Sequence, residues 1–252
     1  MANWQDPRTT SGFDGVNTAT VGVPSVARDA GLRSYMLKVY NYMSSGVLLT
    51  GIVALLFANS SLINYIVNPA TGQATPLFWV ALFAPLGIVF AINFGINRIS
   101  ASTAQALFWV YAGLVGVQFS TLFLVYTGAS IAQTFFATAA AFLGLSLYGY
   151  TTKRDLSAFR TFLVMGLVGL FVALLINMFL RSPAFDMAIS AIGVLLFAGL
   201  TAYDTQKIKS IYFAVAGNGE AMAKSAVMGA LTLYLDFINM FLFLLRFMGD
   251  RR

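Results

Sequence analysis

The strongest constraint on this chain is a series of seven apolar segments, each close to the length of a membrane-spanning helix. A hydrocarbon core about 30 Å thick is crossed by about 20 helical residues, and short polar or Gly- and Pro-containing stretches separate the segments. The segments cover residues 42–67, 77–96, 106–126, 131–150, 162–180, 187–204 and 226–246. The sequence therefore predicts an all-α membrane protein with seven transmembrane helices.

The composition agrees with lipid as the solvent and excludes large classes of enzyme. Of the 252 residues, 59% are hydrophobic and only 10% are charged, whereas soluble domains carry about 25% charged residues. The chain contains no Cys and no His, so thiolate sites, disulfides and imidazole chemistry are excluded together. We therefore expect a membrane protein that is not an enzyme and that holds no tightly bound cofactor.

The polar regions are short, which limits the domain organisation. Residues 1–30 are rich in small and polar side chains and lack the apolar core of a signal peptide, so they are predicted to form a flexible cytosolic tail. The remainder, 31–252, is predicted to form one transmembrane domain. Its longest predicted connection is 205–225, which leaves no room for a second domain.

The basic residues lie between the apolar segments instead of forming one patch, so they indicate membrane orientation and argue against a nucleic-acid partner. With a cytoplasmic N-terminus, eleven of the 15 basic residues fall on the inner side; the four on the outer side are Arg181, Arg246, Arg251 and Arg252. We therefore predict this orientation. Three of the exceptions lie near the C-terminus, and a re-entrant last segment, which would return that end to the cytoplasm, is the alternative.

Small residues recur every four positions on the second segment, at Gly87, Ala91 and Gly95. Such a stripe allows close approach of a neighbouring helix. We interpret it as a packing face within the bundle, although a pore lining would use similar residues.

Two of the nine carboxylates fall within apolar segments, Asp204 near the end of the sixth and Asp236 well inside the seventh. A charged Asp at the centre of a membrane helix costs about 2.5 to 3.5 kcal/mol, so each needs a partner or a proton. Thr232 and Asn239 share a helical face with Asp236 through spacings of four and three residues. Arg98 ends the second segment on the same side as Asp204, and a salt bridge between them is a candidate seal.

A neighbouring pair of carboxylates offers a weak site for a cation. Calcium takes six to eight oxygens, so Asp204 and Asp236 would need help from backbone carbonyls, Asn239, Thr232 or water. Binding would be transient, which suits conduction better than storage.

The alternative is structural: the Asp residues pin helices together by pairing with Arg98 or with hydroxyl groups. An intramembrane aspartyl protease is disfavoured, because Asp236 is not preceded by the Gly-x-Gly of that family.

Three stretches in this order resemble the transmembrane Bax inhibitor motif family, in its bacterial branch. They are SLYGYTTKRD at 146–155, GLTAYDTQKI at 199–208 and GALTLYLDFIN at 229–239. The resemblance covers about residues 40–249. It implies a seven-helix fold whose last helix is enclosed by the other six, together with a pH-sensitive calcium leak.

By motif, the resemblance implies that Asp204 and Asp236 form a di-aspartyl pH sensor and that Arg98 is the latch that closes it. Some relatives carry an acidic residue about three turns before this Arg. Here the stretch 85–97 has none, and Gly87 stands near the expected place, which argues against a strongly selective calcium path.

The functional prediction is therefore a pH-sensitive calcium leak channel or cation transporter, gated by the aspartate pair. The alternative is a membrane-embedded regulator that acts by binding other membrane proteins. In either case the expected partners are the lipid bilayer and calcium or a membrane protein. The expected location is the bacterial inner membrane, with the N-terminus in the cytoplasm.

Overall fold

The computed structural model describes residues 25–252, which form a bundle of helices joined by short connections. Seven of its helical segments are long and apolar enough to cross a membrane, as the sequence predicts. The helices are α1 (Ser25–Ala58), α2 (Pro76–Gly95), α3 (Ala101–Phe119), α4 (Leu122–Val125), α5 (Gly128–Thr151), α6 (Arg160–Leu180), α7 (Pro183–Val215) and α8 (Gly219–Met248). The short helix α4 continues the span of α3, and a 3-10 turn, Leu156–Phe159, precedes α6.

The polar residues between the apolar segments act as helix caps. The side chains of Thr75, Ser100, Thr127, Ser182 and Asn218 each accept a backbone N–H in the first turn of the helix that follows. This satisfies donors that have no partner within the helix. The starts of these five helices are therefore marked by the capping residue that precedes each of them.

The last helix occupies the centre of the bundle, as the family resemblance implies. In the most apolar stretch of α8, 67% of the residues are buried, compared with 17% in α2 and 11% in the span that contains α6. Its close neighbours are α1, α3, α5 and α7, whereas α2 packs on α3 and α6 packs on α7. The enclosure of α8 is thus provided mainly by four helices, and α2 and α6 lie outside them.

Several predicted boundaries are wrong, and the largest differences concern the first span and the connection 205–225. The first span ends at Ala58 instead of near residue 67, because a 3-10 turn (Ser61–Tyr65) and a bridge between Val67 and Ala74 follow it. The predicted long connection 205–225 is mostly helix, and only residues 216–218 separate α7 from α8. Ile208 and Tyr212 are buried there, so packing extends α7 beyond its apolar segment.

The structure changes the prediction at both ends of the transmembrane domain. Helix α1 already begins at Ser25, before the predicted boundary at residue 31, and the rest of the predicted tail lies outside the described residues. At the other end, α8 is continuous for 30 residues, so the re-entrant alternative for the last segment is wrong. The C-terminus therefore lies at the opposite end of the bundle from the start of α8.

The prediction that Gly87, Ala91 and Gly95 form a packing face is also wrong. Gly87 and Ala91 are exposed, and a Cβ placed on Gly87 would meet no atom within 4 Å. This stripe of α2 faces outward because α2 is held mainly through α3.

Candidate functional site: a buried aspartate pair behind a polar cavity

The two intramembrane carboxylates face the interior of the bundle. Asp204 on α7 is 8% exposed and Asp236 on α8 is 5% exposed. These helices share the most extensive packing in the molecule, and the two carboxyl groups lie within electrostatic range of each other. Both carboxylates are therefore interior residues and neither faces lipid.

Asp236 lies in an unusually poor environment for a carboxyl group. Its Oδ2 atom is buried and has no hydrogen-bond partner among the described residues. Tyr234 and Phe237 beside it in the sequence are buried as well. Leaving a buried polar atom without a partner costs about 1–3 kcal/mol, and more for a charged group. Helix pinning alone does not explain such an arrangement.

Asp204 is reached from a polar cavity of about 530 Å³ at one end of the bundle. The cavity lies between the end of α2 and the helices α7 and α8, and Asp236 is not among its lining residues. Its lining includes Asn93, Asn97, Asp204, Lys207, Lys224 and Thr232. Asp204 therefore stands between this cavity and the more deeply buried Asp236.

Lys207 is a site residue that the sequence reasoning missed. It lines the cavity and interacts electrostatically with both Asp204 and Asp236. Lys224, the second cation of the cavity, pairs instead with Glu220 at 3.0 Å. The spacing of three residues from Asp204 was the available signal, because residues i and i+3 lie on one face of a helix.

Arg98 does not form the predicted salt bridge with Asp204 in this conformation. It follows the end of α2, its side chain is exposed, and the ion pairs among the described residues do not include it. Its neighbour Asn97 lines the cavity instead. The latch role of Arg98 stays a prediction that requires the end of α2 to move.

The two predicted supporting residues differ in their position: Thr232 lines the cavity, and Asn239 is not among the lining residues. The Thr232 hydroxyl lines the cavity and donates to the Met228 carbonyl at 3.0 Å, while Asn239 Nδ2 donates to the Leu235 carbonyl at 2.8 Å. Both donors are therefore used within α8. No cluster of three or more acidic side chains is present in residues 29–252, so a cation at the pair would depend on carbonyl and water oxygens.

A chain of hydroxyl groups, of which those of Ser146 and Thr205 belong to buried residues, connects the site with α1 and α5. Tyr40 Oη lies 2.6 Å from Ser146 Oγ, which lies 3.0 Å from Thr205 Oγ1. Thr205 is fully buried and follows Asp204 directly. A Cβ on Gly149, one turn after Ser146, would collide with the backbone carbonyl of Ala202. Glycine at this position therefore permits the close approach of α5 to α7.

Beyond Asp236, aromatic side chains fill the bundle around α8. The Tyr234 hydroxyl lies 2.6 Å from Thr50 Oγ1, and its ring packs edge-on against Phe108 and Tyr111. Further along α8, Phe237 and Phe241 pack against rings from α3 and α5. The rings of Phe237 and Phe241 therefore pack the interior between Asp236 and the far end of α8.

Sequence comparisons place this chain among membrane proteins. Residues 32–252 match the family described as inhibitor of apoptosis-promoting Bax1. An uncharacterized protein of Rickettsia prowazekii is 49% identical over 95% of this chain and 99% of its own length. The inner membrane protein YbhL of Escherichia coli K12 is 45% identical over 88% of this chain and 94% of its own length. An uncharacterized membrane protein of Streptococcus pyogenes is 37% identical over the same shares.

Proposed function

This chain belongs to the Bax inhibitor-like family of integral membrane proteins, and from that premise we propose that it is a pH-sensitive calcium leak channel or cation transporter. The gate is the aspartate pair, Asp204 and Asp236. The observation that carries the proposal is the buried, unpartnered Oδ2 of Asp236 behind a cavity that reaches Asp204. Intramembrane carboxylates that are not satisfied by structural partners are functional by default.

Proton occupancy of the pair provides the pH sensitivity. Two neighbouring buried carboxyl groups share a proton over part of the pH range, because ionising both is costly. The ionised pair attracts a cation from the cavity, and the protonated pair does not. Transient calcium binding then uses Asp204 and Asp236 together with oxygens from Thr232, Asn239, the backbone or water.

Arg98 is the proposed latch of the closed state. A salt bridge from Arg98 to Asp204 requires the end of α2 to approach α7, and α2 is free to do so because it packs mainly on α3. Acid then weakens the latch by protonating Asp204, while it also removes the charge that draws calcium. The flux should therefore be graded or peaked with pH instead of rising without limit.

The test is dye-reported calcium flux in proteoliposomes between pH 5 and 8. Asp204→Asn should flatten the pH dependence, and Arg98→Ala should leave a leak at neutral pH. Asp186→Asn, at the other end of the bundle, is the matched control and should behave like the parent. Flux that is the same in all variants at every pH, with monodisperse protein, would falsify the proposed gate.

A second candidate function, a regulator that binds other membrane proteins, is favoured by the outward-facing stripe of α2. Gly87 and Ala91 are exposed, and small residues on a lipid face allow a foreign helix to approach closely. If this candidate is correct, the Gly87→Leu variant should no longer bind the partner protein, because the leucine side chain blocks the close approach of a second helix. The same variant should leave calcium flux unchanged if the leak operates alone.

The proposed location is the bacterial inner membrane with a cytoplasmic N-terminus, supported by the basic residues at the end of the bundle that includes Lys153 and Arg154 and by the inner-membrane relative. Since the chain has no Cys, Ser157→Cys creates a single thiol in the connection before α6. An impermeant thiol reagent should label it only after the cells are opened. Labelling of intact cells would reverse the orientation.

A further inference from the structure

The seam between α1 and α5 is an open crevice on the side of the bundle. Both helices pack against α7 and α8, but they are not closely packed against each other, and the Tyr40–Ser146 hydrogen bond joins them. An unfilled seam forfeits dispersion contacts on both walls. Within a membrane, the molecules available to fill it from the side are lipids.

One half of the seam lies at the basic end of the bundle, the end that includes Lys153 and Arg154, and it combines one cation with apolar walls. A crevice of about 330 Å³ opens there, and its lining includes Arg33, Leu37, Tyr40, Leu143, Leu147 and Tyr150. Leu37, Leu143 and Leu147 are each more than half exposed. This combination matches a lipid at the membrane interface, with its head at the cation and its chain along the leucines.

Arg33 is the cation available to a ligand in this crevice. Its side chain is exposed, and it forms no salt bridge with a carboxylate in residues 29–252, although Asp29 lies one turn earlier. The other nearby cations have partners: Lys209 donates to the Tyr150 carbonyl at 2.8 Å and Lys38 lies over the Tyr42 ring. A guanidinium group binds a phosphate through two parallel hydrogen bonds.

The other half of the seam is apolar and receives the end of an acyl chain. A second crevice of about 260 Å³ lies there between α1 and α5, with α8 as its floor, and its lining includes Val47, Gly51, Ala54, Ala132, Phe237 and Phe241. From Arg33 to Val47 the helix rises about 21 Å. Half of a bilayer that includes its headgroups is about 20–22 Å thick, so one leaflet lipid spans this distance.

We propose that the α1–α5 seam is a binding site for one anionic phospholipid, with its phosphate at Arg33 and an acyl chain lying along the leucines toward Val47 and the edge of the apolar crevice. The leaflet is the one at the basic end of the bundle. The site is separate from the aspartate cavity, which lies between α2, α7 and α8. The inference does not depend on the proposed calcium leak.

The test is native mass spectrometry of the delipidated full chain with equimolar phosphatidylglycerol and phosphatidylcholine that carry the same acyl chains. Phosphatidylglycerol should bind preferentially and resist competition by inorganic phosphate. Arg33→Gln should lower its occupancy about tenfold, and Arg33→Lys should lower it less. Arg160→Gln, an exposed arginine at the same end but on α6, is the matched control and should have no effect.

A second pair of variants tests the acyl-chain half. Gly51→Phe should fill the apolar crevice and lower the binding of both lipids, while Gly169→Phe on α6 should not; a Cβ at either glycine meets no atom within 4 Å, so both should fold. Three results would overturn the proposal: equal binding of the two lipids by the parent chain, displacement of phosphatidylglycerol by inorganic phosphate, or indistinguishable Arg33→Gln and Arg160→Gln variants. The first two need only the parent protein, so they remain decisive if a variant misfolds.

Discussion

Asp186 and Asp236 are both acidic residues of long helices, but their surroundings differ completely. Asp186, in the first turn of α7, lies 3.5 Å from Arg246 and 3.9 Å from Arg251, and it accepts a hydrogen bond from Asn177 Nδ2 at 3.3 Å. Asp236 lies in the centre of α8 with one carboxyl oxygen unpartnered. The first arrangement stabilises a structure, and the second leaves charge available for chemistry.

The two ends of the bundle also differ in how many contacts hold their helices and termini together. Around Asp186, the C-terminal residues are tied to the bundle: Arg252 N donates to the Val125 carbonyl at 2.9 Å and Thr127 N donates to the Asp250 carbonyl at 3.1 Å. A pocket of about 430 Å³ is also present at this end, but there Asp186 is paired with Arg246 and Arg251, which line the same pocket. Around Asp204, the helices diverge and leave a polar cavity. A protein that moves during function should therefore open from the cavity end, while the Asp186 end stays fixed.

Asp236→Asn should have the strongest effect, because it removes the carboxylate that has an unpartnered oxygen in the interior of the bundle. Calcium flux in proteoliposomes should fall by about tenfold or more, since removing one charge from a low-dielectric pathway costs more than about 1.4 kcal/mol. The melting temperature in detergent should not fall, because the variant loses no salt bridge. A variant that loses stability but keeps its flux would assign Asp236 a structural role.

Lys207→Gln should have a smaller and opposite effect on flux. This lysine lines the cavity together with Asp204, so its removal should raise cation flux about three- to tenfold through the loss of a like charge at the cavity. Lys209→Gln is the matched control, because Lys209 is held by the Tyr150 carbonyl. An equal effect of both variants would point to general surface charge instead of the cavity.

Asp186→Asn should affect stability and leave flux unchanged. Its arginine partners are 40% and 61% exposed, so screening by solvent limits the loss to about 1 kcal/mol or less. The melting temperature should fall by a few degrees, and by less at high salt. A fall in flux at constant stability would contradict the structural assignment.

The smallest effect concerns Asp155, which caps the turn before α6. Its Oδ1 accepts the Ser157 N–H at 2.8 Å, and hydrogen bonds from the Ser157 backbone and side chain hold the pKa of this carboxyl below its ordinary value of 3.8. A lowered folded-state pKa stabilises the fold above the unfolded value, and this contribution is lost as the pH falls through the folded value.

Asp155→Asn keeps the cap but cannot titrate. Thermal unfolding of the parent and the variant should therefore show a small difference in pH dependence that appears only below about pH 4. A difference that appears between pH 5 and 8 would indicate that another group is responsible.

The sequence identifies the two buried aspartates but not the basic residue Lys207, which lines the cavity together with Asp204. Asp204 and Asp236 stand out because charge is rare in apolar segments, and both prove to be interior residues. The position of Arg98 at the end of a span predicts a pairing with Asp204. In the structure the side chain of Arg98 is exposed and Lys207 lies at the cavity instead, because the placement of the end of α2 relative to α7 is set by tertiary packing.

Helix boundaries were predictable where local chemistry sets them. Thr75, Ser100, Thr127 and Ser182 cap helices that begin at the next residue. The apolar segments predicted at 106–126 and 187–204 begin later than the helices capped by Ser100 and Ser182, because hydropathy does not mark the first turn of a helix. The extension of α7 to Val215 was missed, because it depends on the burial of Ile208 and Tyr212 against other helices. Hydropathy reports the lipid-facing length of a helix and not the length that tertiary packing supports.

The membrane as the solvent, the number of spans and the presence of two carboxylates among apolar residues can all be read from the amino-acid sequence, since each follows from composition along the chain. The central place of α8, the outward direction of the Gly87 stripe and the seam between α1 and α5 became visible in the folded bundle alone. These features depend on which helices touch. Within a membrane every apolar helix face is compatible with lipid, so hydropathy alone does not select its neighbours.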